Sequence, residues 1–135
     1  MPFVRISLNN ASPEDFAARV GDCVHRAMVD AIAIPEGDRF QVITEHAGGL
    51  VYDPSYLDIE RTDGIVMIQI ALAVGRSTEV KRALYRTIAE RLESELAVRP
   101  EDVFIALVEV PVENFSFGNG EAQYADRPPA HLQAR

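Results

Sequence analysis

Pro2, Asp38 and Arg76 are among the residues of this chain whose types could move a proton or hold an anion. A proline directly after the initiator methionine is small enough for that methionine to be clipped, and the nitrogen left behind is a secondary amine instead of an amide. An α-amino group titrates at about 7.7 to 8.0, so modest electrostatic shifts decide whether it accepts or donates a proton near neutral pH. The pyrrolidine ring also limits the orientational freedom that such an amine would lose on reaction. Asp38 follows Pro35 and Gly37, where an aspartate is equally ordinary turn chemistry, and Asp102 stands in a similar turn. Arg76 directly precedes Ser77, a helix cap whose neighbouring backbone N–H groups would favour an anion.

Other candidates for chemistry are weaker. His25, His46 and His131 have no metal-ligand spacing, and the single cysteine, Cys23, falls on the apolar side of a helix, where it reads as a core thiol. Gly48 and Gly49 lack the spacing and the lysine of a phosphate-cradling loop. No metal and no nucleotide cofactor is expected. With 135 residues and 47% hydrophobic content, the chain suits one domain with a core of its own. A net charge of −8 opposes a nucleic-acid surface, which needs clustered Lys and Arg. The stretch MPFVRISLNN has no basic region followed by an apolar one, and no run reaches a membrane span, so a cytoplasmic location is the default expectation.

The elements that must position these groups follow from periodicity. Residues 3–8 read as a strand with Val4, Ile6 and Leu8 on one face. Ser12 offers an N-cap, Pro13 a first helical position, and Glu14 and Asp15 suit the positive end of a helix dipole. The apolar stripe Phe16, Val20, Cys23, Val24, Ala27, Met28 and Ala31 then predicts an amphipathic helix that Pro35 and Gly37 bring to an end before a strand at 39–44. The order repeats: a strand at 64–73, a helix capped by Ser77 with Val80, Leu84, Ile88, Leu92 and Leu96 on one side, then Pro100 and a strand at 103–110.

Ile6 and Ile70, Asp38 and Asp102, and Phe40 and Phe104 match at a constant offset of 64 (102 − 38), as a duplicated β-α-β unit would give. Right-handed crossovers then make an α+β fold, a four-stranded mixed sheet with both helices on one face. The strand GIVMIQIALA is apolar at odd and even positions alike, so Ile65, Met67 or Ile68 would be stranded on the uncovered face unless other subunits cover it. An oligomer is therefore expected. Residues 45–63 read as an irregular excursion with a short strand at 50–52, long enough to suggest a task of its own. The single domain is expected to span 1–125, with halves at about 2–44 and 64–110. The Pro-rich tail 126–135 is expected to fray or to cross to a neighbour.

The segments PFVRISL, IPEGDRFQVITEH, VMIQIALAVGRSTEVK and FSFGNGEAQY, together with the Met-Pro start that runs straight into a strand, resemble the tautomerase superfamily. The chain is most similar there to the malonate semialdehyde decarboxylase-like group, over nearly its whole length. The resemblance implies a tautomerase-like fold, a trimer, and a substrate that is a small oxo acid bearing a carboxylate. By matched position it implies Pro2 as the catalytic amine, Asp38 as its partner carboxylate and Arg76 as the binder of the substrate carboxylate. It also implies Phe115, Phe117 and Tyr124 as an aromatic wall, although core packing and a simple FGNG turn between two strands explain the same residues. His46 falls in a matched segment and is kept as a pocket candidate.

One position departs from the group: Val74 stands where its pattern has a second arginine. Arg76 would favour a neutral Pro2 amine and Asp38 its cation, and the balance selects the reaction. A neutral amine supports keto-enol tautomerisation, whereas a cation would stabilise the enolate left when a 3-oxo acid loses carbon dioxide. Loss of one guanidinium tilts the expectation toward tautomerisation, with decarboxylation or hydration of a 3-oxo acid as the alternative. A non-catalytic oligomeric binding domain on the same scaffold stands as the rival.

Overall fold

A computed structural model describes residues 2–10 and 13–133. Four strands carry the architecture: β1 (Phe3–Asn9), β2 (Gln41–His46), β3 (Val66–Ala73) and β4 (Val103–Val110). Two long helices, α1 (Phe16–Ile32) and α2 (Thr78–Leu96), form the crossovers, and two short ones, α3 (Gln123–Asp126) and α4 (Ala130–Gln133), lie in the C-terminal region. The sheet order is β2-β1-β3-β4, with β1–β2 and β3–β4 parallel and β1–β3 antiparallel. The expected α+β class and mixed four-stranded sheet are thus observed.

The internal duplication is visible in the register. Val4 pairs with Gln41 and Val66 with Val103, the same separation of 37 in each half (41 − 4 and 103 − 66). Arg5 pairs with Gln69, its own repeat equivalent (69 − 5 = 64), so the local twofold axis passes between these two residues. Both long helices end in a left-handed alanine, Ala33 at φ 56° and Ala97 at φ 57°, again 64 apart (97 − 33). Each cap N–H closes back onto the last turn, Ala33 onto the Val29 carbonyl and Ala97 onto that of Glu93.

The core follows the two periodicities. Val4, Ile6 and Leu8 from β1 and Val66, Ile68, Ile70 and Leu72 from β3 meet Val20, Val24, Ala27 and Met28 from α1 and Leu84, Ile88 and Leu92 from α2. Cys23 is buried in this cluster. Phe16, Ala31, Val80 and Leu96, expected on the inner stripes, sit at its margin. The opposite face of the sheet is bare, and Phe104 is 50% exposed on it, with Val42 and Val108 also exposed. Of the three residues whose side was ambiguous, Ile65 and Ile68 are buried and Met67 takes the bare face, beside Phe104 in register.

Several expected boundaries are corrected. Helix α1 begins at Phe16 instead of Pro13, because residues 13–15 form a turn in which the Phe16 N–H donates to the Pro13 carbonyl; the proposed Ser12 cap lies outside the described residues. Strand β2 starts at Gln41, two residues late, since the turn bonds Asp38 N–H to Pro35 O and Arg39 N–H to Gly37 O consume the preceding segment. Strand β3 starts at Val66 because Ile65 still belongs to a turn closed onto the Thr62 carbonyl.

No strand forms at 50–52. Arg61 gathers that loop instead, donating from one guanidinium nitrogen to the carbonyls of Asp53, Tyr56 and Ile59, and Tyr52 donates to Asp63 at 2.7 Å. In the tail, residues 130–133 form a helical turn, and the His131 Nε2 lies 3.0 Å from the Val74 carbonyl oxygen. Among the described residues, no helix is long and apolar enough to cross a membrane.

Candidate active site

Pro2 is buried at the start of β1, on the edge where β2 begins. The Val4 N–H donates to the Phe40 carbonyl at 3.0 Å, which ties residue 40 to the neighbourhood of the chain start. Pro2, Phe3, Phe40, Phe115, Ser116 and Phe117 line a cavity of about 270 Å³.

The far wall is made by the segment after β4, through one local device. Gly118, Asn119 and Gly120 all have positive φ, and this tight reversal lets the Gln123 side chain reach back. Its Oε1 accepts from Phe117 N–H at 3.0 Å, and its Nε2 donates to the Gly118 carbonyl at 2.8 Å. Phe115 and Phe117 stack at 5.4 Å, and Tyr124 meets Phe117 edge-on at 4.8 Å and Phe115 at 6.4 Å. No strands flank the FGNG turn, contrary to the packing explanation in which it joins two of them. It exists to seat an aromatic cluster.

Tyr124 also faces a second cavity, of about 430 Å³, which holds both Asp38 and Arg76. Asp38 is presented by the Pro35–Gly37 turn after α1 and is only 9% exposed. Burial raises its pKa, while the charges of His25 and Arg76 pull it back toward the usual carboxylate range. Arg76 leaves β3 just before α2 and donates to the Ala73 carbonyl at 3.3 Å. Burial lowers its pKa, and Tyr124, Glu109 and Asp38 oppose that shift. Burial also raises the Tyr124 pKa, with the Asp38 charge adding to it and Arg76 opposing. The arrangement is a partly desolvated guanidinium and a carboxylate at one end, and an apolar aromatic cavity with Pro2 at the other.

Pro2, Asp38, Arg76, Phe115, Phe117 and Tyr124 therefore come together at one end of the fold, although they are spread over most of the sequence. Met1, whose removal would free the Pro2 amine, lies outside the described residues. His46 does not join them: it pairs with Asn9, at the opposite end of β1 from Pro2. Ser77 does cap α2, its hydroxyl accepting from Val80 N–H at 3.2 Å. Asp102, the repeat equivalent of Asp38, is 2% exposed and accepts from the Thr62 N–H at 2.7 Å and hydroxyl at 2.6 Å, so its turn is occupied by the 45–63 loop.

Sequence reasoning missed two contributors. His25, 8% exposed in the apolar stripe of α1, donates from Nε2 to the Glu36 carbonyl at 2.8 Å and thereby holds the turn that presents Asp38. A histidine at a buried helical position was a readable signal for such a contact. The second is the tail, where Pro129, Ala130 and His131 complete the cavity around Arg76; nothing in its composition announced that.

Comparison with known proteins identifies the family and the fold. Residues 38–118 match the family model described as "Tautomerase enzyme". The chain is 47% identical over 124 residues to the probable tautomerase YusQ of Bacillus subtilis (strain 168), which covers 91% of this chain and 98% of that protein. Among solved structures it is similar to FG41 malonate semialdehyde decarboxylase inhibited by 3-bromopropiolate, with a TM-score of 0.87 and 33% identity over 95% of this chain and 98% of that one. A second malonate semialdehyde decarboxylase, described with decarboxylase and hydratase activities, superposes with a TM-score of 0.84 and 30% identity, covering 92% of this chain and 96% of that chain.

Proposed function

The chain belongs to the tautomerase superfamily of enzymes, and we propose that it interconverts the keto and enol forms of a small oxo acid with the Pro2 amine as general acid and base. The observation that carries this reading is the meeting of two cavities at the Phe117–Tyr124 contact, one with Pro2 in its wall and the other with Arg76 and Asp38. A substrate spanning them would place its carboxylate at Arg76 and its reacting carbon near Pro2. Arg76 suits that task because a guanidinium presents paired N–H donors to a carboxylate and stays charged despite partial burial.

In ketonisation the neutral amine takes the proton of the enol hydroxyl and delivers it to the enol carbon, so that the C=C bond becomes C–C and C–O becomes C=O. The reverse direction uses the neutral amine to remove the same proton. Asp38 sets the amine's proton affinity by favouring its cation. The aromatic cluster holds the apolar part of the substrate and keeps water from the transferring proton. Loss of ultraviolet absorbance from phenylenolpyruvate, compared between the wild-type chain and Pro2→Ala, tests the reading.

Likeness to two malonate semialdehyde decarboxylases favours a second reading, decarboxylation or hydration of a 3-oxo acid with Pro2 as a cation. The pH-rate profile separates the two, since an obligatory cation loses activity as pH rises through its pKa, whereas a general base gains it. Chemistry of either kind is proposed for an oligomer, most simply a trimer, because the bare sheet face carrying Phe104, Met67 and Val42 needs cover.

A further inference from the structure

We propose that the C-terminal turn, residues 128–133, is the wall that makes this pocket selective for a free terminal carboxylate over its neutral ester. The inference rests on the reading that Arg76 receives the substrate carboxylate. Pro129, Ala130 and His131 line the cavity in which Arg76 and Asp38 lie, together with residues 32–35 at the end of α1 and just beyond it. The turn is fixed at two points. The Leu132 N–H donates to the Pro129 carbonyl at 2.9 Å and shapes it, and the His131 Nε2 donates to the Val74 carbonyl at 3.0 Å and anchors it.

Gly75, between Val74 and Arg76, is what admits this contact. Its φ of +121° suits glycine, and a Cβ there would stand 2.5 Å from the Leu132 Cδ2 and 3.3 Å from the His131 ring. The tail therefore packs directly on the backbone that carries Arg76. Two consequences follow for a ligand. Water is kept from one side of a guanidinium whose pKa burial already lowers, so a carboxylate that replaces the remaining water gains a stronger interaction than it would on an open surface. The same wall crowds a group attached beyond the carboxylate, so an ester loses the charge and meets steric resistance together.

The test compares phenylenolpyruvate with its methyl ester as substrates of the full chain. Loosening the wall with the double substitution His131→Ala, Leu132→Ala should lower the acid-to-ester ratio of kcat/KM by about tenfold or more, chiefly through KM for the acid. His131→Gln, whose amide can still donate to the Val74 carbonyl, should stay within about threefold of the wild type. A ratio unchanged in the double variant, or equal losses for acid and ester, would overturn the proposal. Titration of 3-phenylpropanoate and its methyl ester, which have no oxo group to enolise, followed by NMR, reads the same preference without turnover. If the wild-type preference for the acid vanishes in the double variant while Pro2→Ala leaves catalysis untouched, the wall stands and the proline mechanism fails. If Pro2→Ala abolishes turnover and the preference survives loosening, the wall is wrong and the mechanism stands.

Discussion

The Tyr124 ring meets Phe117 edge to face, 4.8 Å between centroids and at 73°, and so joins the Pro2 cavity, which Phe117 lines, to the Arg76 cavity, which Tyr124 lines. One face of this contact is apolar and the other charged, which is the division that a small oxo acid with one reacting carbon and one carboxylate requires. Tyr124→Phe keeps the ring and should leave kcat/KM for phenylenolpyruvate within about threefold of wild type. Tyr124→Ala removes the edge-on contact and part of the Arg76 cavity wall, and should lower kcat/KM by about tenfold, measured by steady-state ketonisation.

Arg76 is expected to act through charge and through shape. Arg76→Ala should lower kcat/KM for a carboxylate substrate by about 10- to 150-fold, the range of a charge-assisted hydrogen bond. Arg76→Lys keeps a point charge but loses the paired donors, and should recover only part of that. A KM series on the three proteins checks the order.

Asp38 links the site to pH. Its folded-state pKa is raised, with burial as the leading cause, so the folded protein holds this proton more tightly than the unfolded chain does. Stability contributed by the group is therefore present below the ordinary aspartate pKa of 3.8 and is lost as pH rises through the folded value. Asp38→Asn should flatten that dependence and raise Tm at neutral pH relative to wild type, as read by thermal unfolding between pH 4 and 7. Activity should move the other way. Without the carboxylate the Pro2 cation is less favoured, so the rising acidic limb of the pH-rate profile should shift to lower pH while kcat falls.

The repeat equivalent gives the contrast. Asp102 holds the Thr62 N–H and hydroxyl against β4 and lines neither cavity of the site. Asp102→Ala leaves a backbone donor without its acceptor and should cost about 1–3 kcal/mol in denaturant unfolding, with kcat essentially unchanged below the transition. Of the two equivalent turns, one thus presents Asp38 to the candidate site and the other holds a loop.

Much of this fold was legible because burial has a period. Alternation in β1 and the three-and-four spacing of Leu84, Ile88 and Leu92 are direct consequences of which face meets the core. The offset of 64 between Asp38 and Asp102 carried over into the sheet register and both helix caps. The starts of α1 and β2 were misjudged because turns closed by backbone bonds take up residues that propensity assigns to the next element. Leu50 to Tyr52 looked like a strand because it is apolar, yet it has no ladder partner, and Arg61 satisfies that loop's carbonyls. For the site, residue types and resemblance pointed to six residues that do converge. The tail wall was not legible, since its contact depends on the bare backbone at Gly75, fifty-seven positions from Leu132 (132 − 75).

The bare sheet face makes a separate demand on assembly. Phe104→Glu places a charge on the exposed apolar face and should shift the chain toward monomer in light scattering at micromolar concentration, while leaving the helix-side core intact.

The central claim, that the Pro2 amine transfers the proton, is tested most directly by measuring phenylenolpyruvate ketonisation on a preparation whose intact mass shows Met1 removed, beside Pro2→Ala treated identically. The account predicts clear acceleration by the wild-type chain and a loss of at least about 100-fold in the variant, the usual share of a general acid or base. Equal rates for the two proteins, or no acceleration by a wild-type chain that carries a free Pro2 amine, would contradict it.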